Sequence, residues 1–237
     1  SPPRSTVDRA VLAAMNNSLF HRGPDEEGMF AEGPVGLAMR RLKIIDLQSG
    51  RQPIANEDGT VRVVFNGEIY NYRELRRGLE AQGHRFATQS DTEVLVHLYE
   101  ERGEDMVREL HGMFAFALWD ARAGKLFLAR DPVGIKPLFY SFKDGLFLFG
   151  SEIQALTAHP DVSRDIDMEA LSDYLSFLYV PAPKTIFRDI RKLRPGHILT
   201  LQGGKLEIRQ YWDLTFRPAE ESKTEEDYRS ELSQLAR

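Results

Sequence analysis

The feature that most constrains the fold is a series of four short apolar and aromatic runs between residues 112 and 150. They read GMFAFALWD, KLFLARD, PLFYSF and LFLFG. Turn signals at Asp120–Gly124 and Lys143–Gly145 predict hairpins between them. Because some runs are nearly continuous in apolar residues, they are typical of a sheet that is covered on both faces rather than one with a solvent-exposed face.

Helical patterns surround these strands. The spacing of apolar residues predicts helices over 7–20, 70–82 and 168–178, and a further helix that begins at Ser90 or Asp91. Gly83 suits the position just after a helix, where a positive φ is common. Strands are predicted over 36–42 and 61–65, HILTL and LEIRQYW predict another hairpin, and HRGPDEEG is predicted to be a break. This mixture predicts an α+β fold.

The C-terminal stretch differs in composition from the rest of the chain. It reads PAEESKTEEDYRSELSQLAR and is strongly charged. This pattern predicts an exposed linker that enters a helix. We therefore expect one domain over residues 1–215 and, over 216–237, a linker with the first helix of a further domain.

The overall composition excludes several classes of function. A net charge of -5 gives no electrostatic footprint for nucleic acid or an anionic membrane. No apolar run approaches the roughly 20 residues of a membrane span, and we expect no signal peptide. The 237 residues contain no cysteine, so they hold no disulfide, thiolate metal site or cysteine nucleophile. These facts are compatible with a cytosolic protein.

Motifs for metal sites and for common catalytic sites are not found in the sequence. It has no phosphate loop, no HExxH zinc motif, no GxSxG and no EF-hand loop. The histidines are His21, His84, His97, His111, His159 and His197. Because no two of them are four residues apart, we expect surface or packing roles for them and no metal site.

Polar residues directly follow the predicted strand VVF at residues 63–65. They are Asn66, Gly67 and Glu68. An Asn-Gly pair at a strand end is a common turn signal. The alternative is that the asparagine amide and an adjacent backbone N–H point at one spot, as the two donors of an oxyanion hole do.

Arg41 and Asp91 each have a structural and a functional interpretation. An arginine within an apolar strand is costly unless it is paired, and Asp46 is one candidate partner. The functional alternative is a guanidinium fork for a substrate carboxylate. Asp91 is either a helix cap or a group that holds a substrate ammonium. An arginine facing an aspartate would fit an α-amino acid.

A set of motifs runs along the chain in this order: HRGPD (21–25), RLKIID (41–46), GRQPI (50–54), FNGEIYN (65–71), SDTEV (90–94), GMFAFALWD (112–120), RDPVGIKPLFY (130–140) and GSEIQAL (150–156). Together they resemble the class II glutamine amidotransferase domain of glutamine-hydrolysing asparagine synthetases. RDPVGIKP is shared more widely among class II amidotransferases. RLKIID with GRQPI, and YVPAPKTIF (179–187), resemble the asparagine synthetase branch.

The resemblance implies an N-terminal-nucleophile hydrolase fold, an αββα sandwich with two mainly antiparallel sheets between helical layers. It implies hydrolysis of glutamine to glutamate and ammonia. Its implied site residues are Arg41 with the backbone around Ile44 and Ile45 for the α-carboxylate, Asn66 and Gly67 for the oxyanion hole, and Glu68 and Asp91 for the α-ammonium.

The sequence departs from the family at the nucleophile, which is a cysteine at the mature N-terminus that begins a buried strand. Ser1 is a poor substitute, because Pro2 and Pro3 cannot begin a central strand. Two alternatives stay open. Either the native protein has an N-terminal strand that is not among these residues, or the cysteine has been lost and the domain binds glutamine or acts as a scaffold.

The resemblance also implies partners. An ATP-dependent synthetase domain is expected to follow residue 237, where ATP and Mg²⁺ would support the amidation of aspartate. No cofactor is expected within this chain. Glutamine, the protein's own synthetase domain and, in a homodimer, a second copy are the expected partners of a cytoplasmic protein.

Overall fold

The computed structural model describes residues 6–42, 49–216 and 223–235. The α-helices are α1 (Arg9–Asn17), α2 (Tyr72–Ala81), α3 (Val94–Arg102), α4 (Ile153–Thr157), α5 (Met168–Phe177) and α6 (Glu225–Leu235). Short 3-10 helices cover Phe20–Arg22, Asp91–Glu93 and Gly103–Arg108. The strands are β1 (Glu26–Glu32), β2 (Val35–Arg41), β3 (Ile54–Ala55), β4 (Val61–Ile69), β5 (Gly112–Asp120), β6 (Lys125–Arg130), β7 (Phe139–Lys143), β8 (Leu146–Gly150), β9 (Arg191–Lys192), β10 (His197–Gln202) and β11 (Lys205–Gln210).

Strand β5 lies inside a six-stranded sheet with the order β11-β10-β6-β5-β4-β3. All the pairings in this sheet are antiparallel. The three predicted hairpins are confirmed as β5–β6, β7–β8 and β10–β11. Each hairpin follows from a local turn signal between two apolar runs, which explains why the sequence predicts them well.

The six-stranded sheet is covered on both faces, as the continuous apolar runs predict. On one face Val63, Phe65 and Ile69 of β4 join a core with buried residues of α3. On the other face Val64 joins a second core with residues of β2, β7 and β10. Successive residues of a strand point to opposite faces, so β4 contributes to both cores in alternation. Each fully buried large apolar side chain contributes about 1.5–3 kcal/mol.

The second sheet layer consists of two separate pieces, the pair β1–β2 and the sheet β8-β7-β9. Helix α1 packs on β2, and α4 packs on β7 and β8. The order of layers is therefore helix, sheet, split sheet, helix, which agrees with the expected αββα sandwich. Edges of β2 and β8 border a groove over β4 and β5 that residues of all four strands line. We call this feature the inter-sheet groove.

Several boundaries differ from the sequence prediction. Strand β1 begins within the segment predicted as a break and continues beyond it; of its residues only Gly28 is buried, so it lacks an apolar pattern. Strand β4 continues through Asn66–Glu68 to Ile69 instead of ending at Phe65. Helix α2 begins at Tyr72 and is followed by Gly83 with φ +105°, which confirms the positive φ expected there.

Helix α6 has no buried residue, and the helix predicted for the charged C-terminal stretch is confirmed. The division into a domain over 1–215 and a linker with a further helix over 216–237 stays a prediction. Within the described ranges, no helix combines the length and the apolar character that crossing a bilayer requires.

Candidate functional site

A cavity of about 450 Å³ extends along the inter-sheet groove to one end of β2. It is lined by every predicted site residue that the structure describes, namely Arg41, Asn66, Gly67, Glu68 and Asp91. Ile44 and Ile45 lie outside the described residues, as does Asp46. Chain segments far apart in sequence thus meet at one cavity because β2, β4 and the turn before α3 converge there.

Arg41 occupies the last position of β2 and is buried. Its Nη1 donates to Glu26 Oε2 at 3.2 Å, and the hairpin register pairs these two residues directly. Gly50 packs so closely that an added Cβ would lie 2.6 Å from Arg41 Nη2. The buried guanidinium is therefore held in one place by a carboxylate and by the backbone, as a recognition group for a planar anion requires.

Along the edge of β4 that faces away from β5, the backbone N–H and carbonyl groups of every second residue point outward. Phe65 N–H donates to Gln52 Oε1 at 2.7 Å, and Gln52 Nε2 donates to the Phe65 carbonyl at 3.1 Å. Two strand positions beyond Gly67, Ile69 N–H donates to Asp91 Oδ2 at 3.0 Å. The side chains of Gln52 and Asp91 thus take the place of a neighbouring strand on either side of Gly67.

The Gly67 N–H points away from β5. Its register partner Phe114 directs its carbonyl to the Asp131 N–H at 2.8 Å and its own N–H to Asp131 Oδ2 at 3.3 Å. Since both polar groups of an antiparallel residue lie on one side, Gly67 and Phe114 form a non-hydrogen-bonded pair. The Gly67 N–H is thus left available as a donor at the cavity.

Asn66 and Gly67 lie within a strand, so the turn interpretation of this pair is wrong. They pair with Ala115 and Phe114 of β5. A Cβ added at Gly67 would lie 2.1 Å from the Met113 carbonyl oxygen, which explains the glycine by close backbone approach. The Asn66 side chain lines the cavity, with Nδ2 3.5 Å from Ser151 Oγ.

Asp91 is buried, and it is not the helix cap. Ser90 Oγ accepts from the Thr92 N–H at 3.2 Å and caps the 3-10 helix Asp91–Glu93. Burial raises the pKa of Asp91, and the negative charge of nearby Glu68 raises that pKa further, although hydrogen bonds such as that from Ile69 oppose these effects. Two neighbouring carboxylates in a secluded position form a site that a cation would stabilise.

The RDPVGIKP motif has a structural role in this chain. Asp131 is fully buried and accepts from the N–H groups of Ile135 and Lys136, both at 2.9 Å. Arg130 donates to the carbonyls of Lys136, Leu193 and Gly134. The motif builds a fixed turn that brings Lys136 to the cavity wall.

Glu26 and Gln52 are two site residues that the sequence analysis missed. Glu26 could be found by counting outward from the two-residue loop Gly33–Pro34, which places it opposite Arg41. Gln52 lies in the GRQPI motif, but nothing local shows that its amide replaces a strand beside Phe65. In the described part of the chain, the one grouping of potential metal ligands lies away from this cavity, at Glu57, His84, His97 and Glu100.

Comparisons with known proteins agree with this geometry. The family model described as "Glutamine amidotransferase domain" matches residues 3–212. Asparagine synthetase [glutamine-hydrolyzing] 1 of Bacillus subtilis is 43% identical over 229 residues, which cover 95% of this chain and 35% of the relative. Asparagine synthetase [glutamine-hydrolyzing] 3 of the same organism is 42% identical over 214 residues, 89% of this chain and 34% of the relative. The chain thus spans about a third of the length of these relatives.

A solved structure shares the fold. The glutamine phosphoribosylpyrophosphate amidotransferase of B. subtilis, complexed with ADP and GMP, superposes with a TM-score of 0.63 at 20% identity. The match covers 86% of this chain and 46% of that chain. With a family match over most of its length, relatives above 40% identity and this shared architecture, the chain belongs to the glutamine amidotransferase domain family.

Proposed function

We propose that the cavity binds L-glutamine and that the chain is the glutaminase part of a cytoplasmic glutamine-hydrolysing asparagine synthetase. The observation that carries this proposal is the joint presence at one cavity of a buried arginine, two carboxylates and a strand N–H that β5 does not use. An α-amino acid with a side-chain amide has a complementary group for each of them.

The recognition scheme assigns one part of glutamine to each group. Arg41 binds the α-carboxylate through two N–H groups, which a lysine could not reproduce. Glu68 and Asp91 bind the α-ammonium, and the substrate charge offsets their mutual repulsion. The Gly67 N–H and the Asn66 amide bind the carbonyl oxygen as it becomes an oxyanion. The backbone near Ile44 and Ile45 is expected to assist Arg41, by resemblance alone.

Hydrolysis needs a nucleophile that residues 1–237 do not contain as a cysteine. We propose that a further β-strand with an N-terminal cysteine lies in the inter-sheet groove, between β2 and β8. The exposed edges of both strands can pair with it, and it would join the split layer into one sheet. Its first residue would then lie beside Asn66 and Gly67, where attack on the glutamine amide releases ammonia and leaves an acyl-enzyme that water hydrolyses to glutamate.

A second candidate function is glutamine binding without hydrolysis. The observation in its favour is the complete lack of cysteine in the 237 residues. In this case the same Arg41, Glu68 and Asp91 contacts would hold glutamine, and the domain would act as a binding or scaffold module.

The first experiment is mass spectrometry of the N-terminal peptide of the native full-length protein, together with its glutaminase rate. A processed cysteine and ammonia release support the glutaminase. A native start at or near Ser1 without ammonia release rejects it and leaves the binding module. In an active protein, Asn66→Ala should lower the hydrolysis rate by about 10²- to 10³-fold, because it removes one oxyanion donor.

The proposal extends to the part of the longer protein outside this chain. There ATP and Mg²⁺ would activate aspartate to accept the ammonia, and a homodimer is one expected assembly. Helix α5 and the residues after it expose Leu175, Phe177, Leu178 and Tyr179, an apolar surface suited to contact with that synthetase part. ATP should leave the melting temperature of residues 1–237 unchanged; a clear shift would contradict an ATP site confined to the other part.

A further inference from the structure

A second cluster of ionisable side chains lies outside the glutamine cavity. It combines Glu57 from the loop between β3 and β4, His84 from the segment after α2, and His97 and Glu100 from α3. Each residue offers one potential ligand atom, and these atoms all lie within 4.8 Å of one another. None of the four lines the glutamine cavity. Three chain segments therefore converge on a set of two imidazoles and two carboxylates.

The spacing within the cluster is that of ligands around a metal ion. His97 Nδ1 lies 3.4 Å from Glu57 Oε2 and 3.5 Å from Glu100 Oε2. His84 Nδ1 lies 3.5 Å from Glu57 Oε1 and 3.8 Å from Glu100 Oε2. Good charge-assisted hydrogen bonds are about 2.7–2.9 Å long. Ligands bonded at about 2.1 Å to one tetrahedral ion are instead about 3.4 Å apart.

His97 gives independent support. Its side chain is 1% exposed, and among the described residues neither ring nitrogen has a hydrogen-bond partner. A buried imidazole whose carboxylate neighbours lie 3.4 to 3.7 Å away, too far for a good hydrogen bond, is costly because it has lost its water. Its Nδ1 faces Glu57 and Glu100, so an ion held among these groups would satisfy it.

The groups around the cluster orient its members. Asn56 Nδ2 donates to Glu100 Oε1 at 2.7 Å, and the Arg85 N–H donates to Glu57 Oε1 at 3.0 Å. The other nitrogen of His84, Nε2, lies 3.0 Å from Glu101 Oε1. Behind His97, Nε2 faces Glu93 Oε1 at 3.7 Å. Histidines that bind metals characteristically have a carboxylate behind the second ring nitrogen, which fixes the ring.

We propose that Glu57, His84, His97 and Glu100 form a binding site for a divalent transition-metal ion, with Zn²⁺ as the preferred ion. A set of four imidazole and carboxylate ligands suits the tetrahedral coordination of Zn²⁺, whereas Mg²⁺ and Ca²⁺ prefer a larger number of oxygen ligands. The bound ion would tie the β3–β4 loop and the segment after α2 to helix α3. This helix directly follows the turn that carries Asp91, so the ion would stabilise the support of the glutamine cavity.

The experiment measures Zn²⁺ binding to the chelator-stripped protein by competition with a chromophoric chelator, and metal content by mass spectrometry. We expect one Zn²⁺ per chain. Co²⁺ should give the visible absorption of a four-coordinate site, and a hundredfold excess of free Zn²⁺ over its Kd should raise the melting temperature by about 5–10 °C. Mg²⁺ should produce none of these effects.

Matched variants assign the ion to this cluster. His84→Gln and Glu57→Gln, at partly exposed positions, should each weaken Zn²⁺ binding by at least about 100-fold. Glu101→Gln, which removes only the carboxylate behind His84, should weaken it by about 10- to 100-fold. The control His111→Gln, at an exposed histidine outside the cluster, should bind Zn²⁺ like the original chain.

Three outcomes would overturn the proposal: no Zn²⁺ binding by the original chain, unchanged binding in both His84→Gln and Glu57→Gln, or equal loss in His111→Gln. The first outcome would assign the cluster to ion pairs between protonated histidines and glutamates. Melting temperatures in the presence of chelator show whether each variant is folded. Zn²⁺ binding is also measured on the original chain, so the proposal can be rejected even if a variant fails to fold. Glutamine binding is measured separately and tests the other site.

Discussion

Two arginine–aspartate pairs in this molecule, Arg130 with Asp131 and Arg41 with Asp91, differ in how the surrounding protein binds their charged groups. Arg130 and Asp131 lie in the RDPVGIKP turn, where three carbonyls accept from the guanidinium and backbone N–H groups donate to both carboxylate oxygens. Arg41 and Asp91 lie at the proposed glutamine cavity. There the guanidinium lines the cavity beside Glu26, and the Asp91 carboxylate is close to the like charge of Glu68.

The difference teaches how a buried charge can be assigned to structure or to binding. In the turn, the protein supplies nearly all the partners that the charged groups can use, so the charges stabilise one backbone conformation. At the cavity, by contrast, the Asp91 carboxylate lies near the like charge of Glu68, and both Arg41 and Asp91 line a space that a small molecule could enter. Under the proposed function, this site is complementary to the charges of a zwitterionic ligand.

The largest expected effect is on the turn. Asp131→Asn keeps the size of the side chain but places an NH₂ group against backbone N–H donors. We expect a loss of about 3–5 kcal/mol in the free energy of unfolding, which corresponds to roughly 10 °C in melting temperature. Chemical denaturation measures this loss, with Asp165→Asn as the matched control on an exposed carboxylate. A loss of stability no greater than in the control would show that Asp131 does not stabilise the turn.

The next effect concerns the cavity. Arg41→Lys keeps a positive charge beside Glu26 but removes the planar fork. We expect glutamine affinity to fall by about 30-fold, which is about 2 kcal/mol, while the melting temperature changes by less than about 3 °C. Titration calorimetry with glutamine gives the affinity. An unchanged affinity would count against Arg41 as the carboxylate-binding group.

Arg130→Lys is the matched substitution in the turn. An ammonium group cannot reach three carbonyls as the guanidinium does, so we expect a loss of about 1–2 kcal/mol in stability. Glutamine affinity should stay within about twofold of the original value. If affinity fell as far as in Arg41→Lys, the distinction between the two pairs would be wrong.

The smallest effect, and the one of opposite sign, is expected for Asp91→Asn. Burial and Glu68 raise the pKa of Asp91 above its ordinary value of 3.8. A raised pKa stabilises the fold only below the unfolded-state pKa, and this contribution is lost as pH rises through the folded-state pKa. The asparagine variant should therefore gain stability relative to the original chain as pH rises from about 4 to 7, while glutamine binding weakens.

Denaturation at a series of pH values between 4 and 7, with calorimetry at pH 7, tests whether stability rises while glutamine affinity falls. The asparagine oxygen can still accept from the Ile69 N–H, so the substitution changes charge more than hydrogen bonding. A variant that is less stable at neutral pH, or one that binds glutamine normally, would show that Asp91 belongs with Asp131 as a structural group.

Local signals predicted the strands and helices with strong periodic patterns. The β5–β6 and β7–β8 hairpins follow from apolar runs beside turn residues, and α5 follows from apolar spacing over 168–178. The prediction missed β1, because its glutamates and glycine carry no apolar alternation and it depends on β2 as a partner. It also ended β4 too early, since a polar Asn-Gly-Glu segment stays extended only when β5 pairs with it.

The sequence by itself determined the family, the covered sheets and five of the residues that meet at the proposed glutamine cavity, because motifs and alternating apolar residues are recorded in local order along the chain. Only the tertiary structure decided that Gln52 replaces a strand beside Phe65, that the Ile69 N–H donates to Asp91, and that His84 and His97 meet two glutamates. These contacts join segments that are distant in sequence. Their distances depend on packing and strand register, which no local pattern specifies.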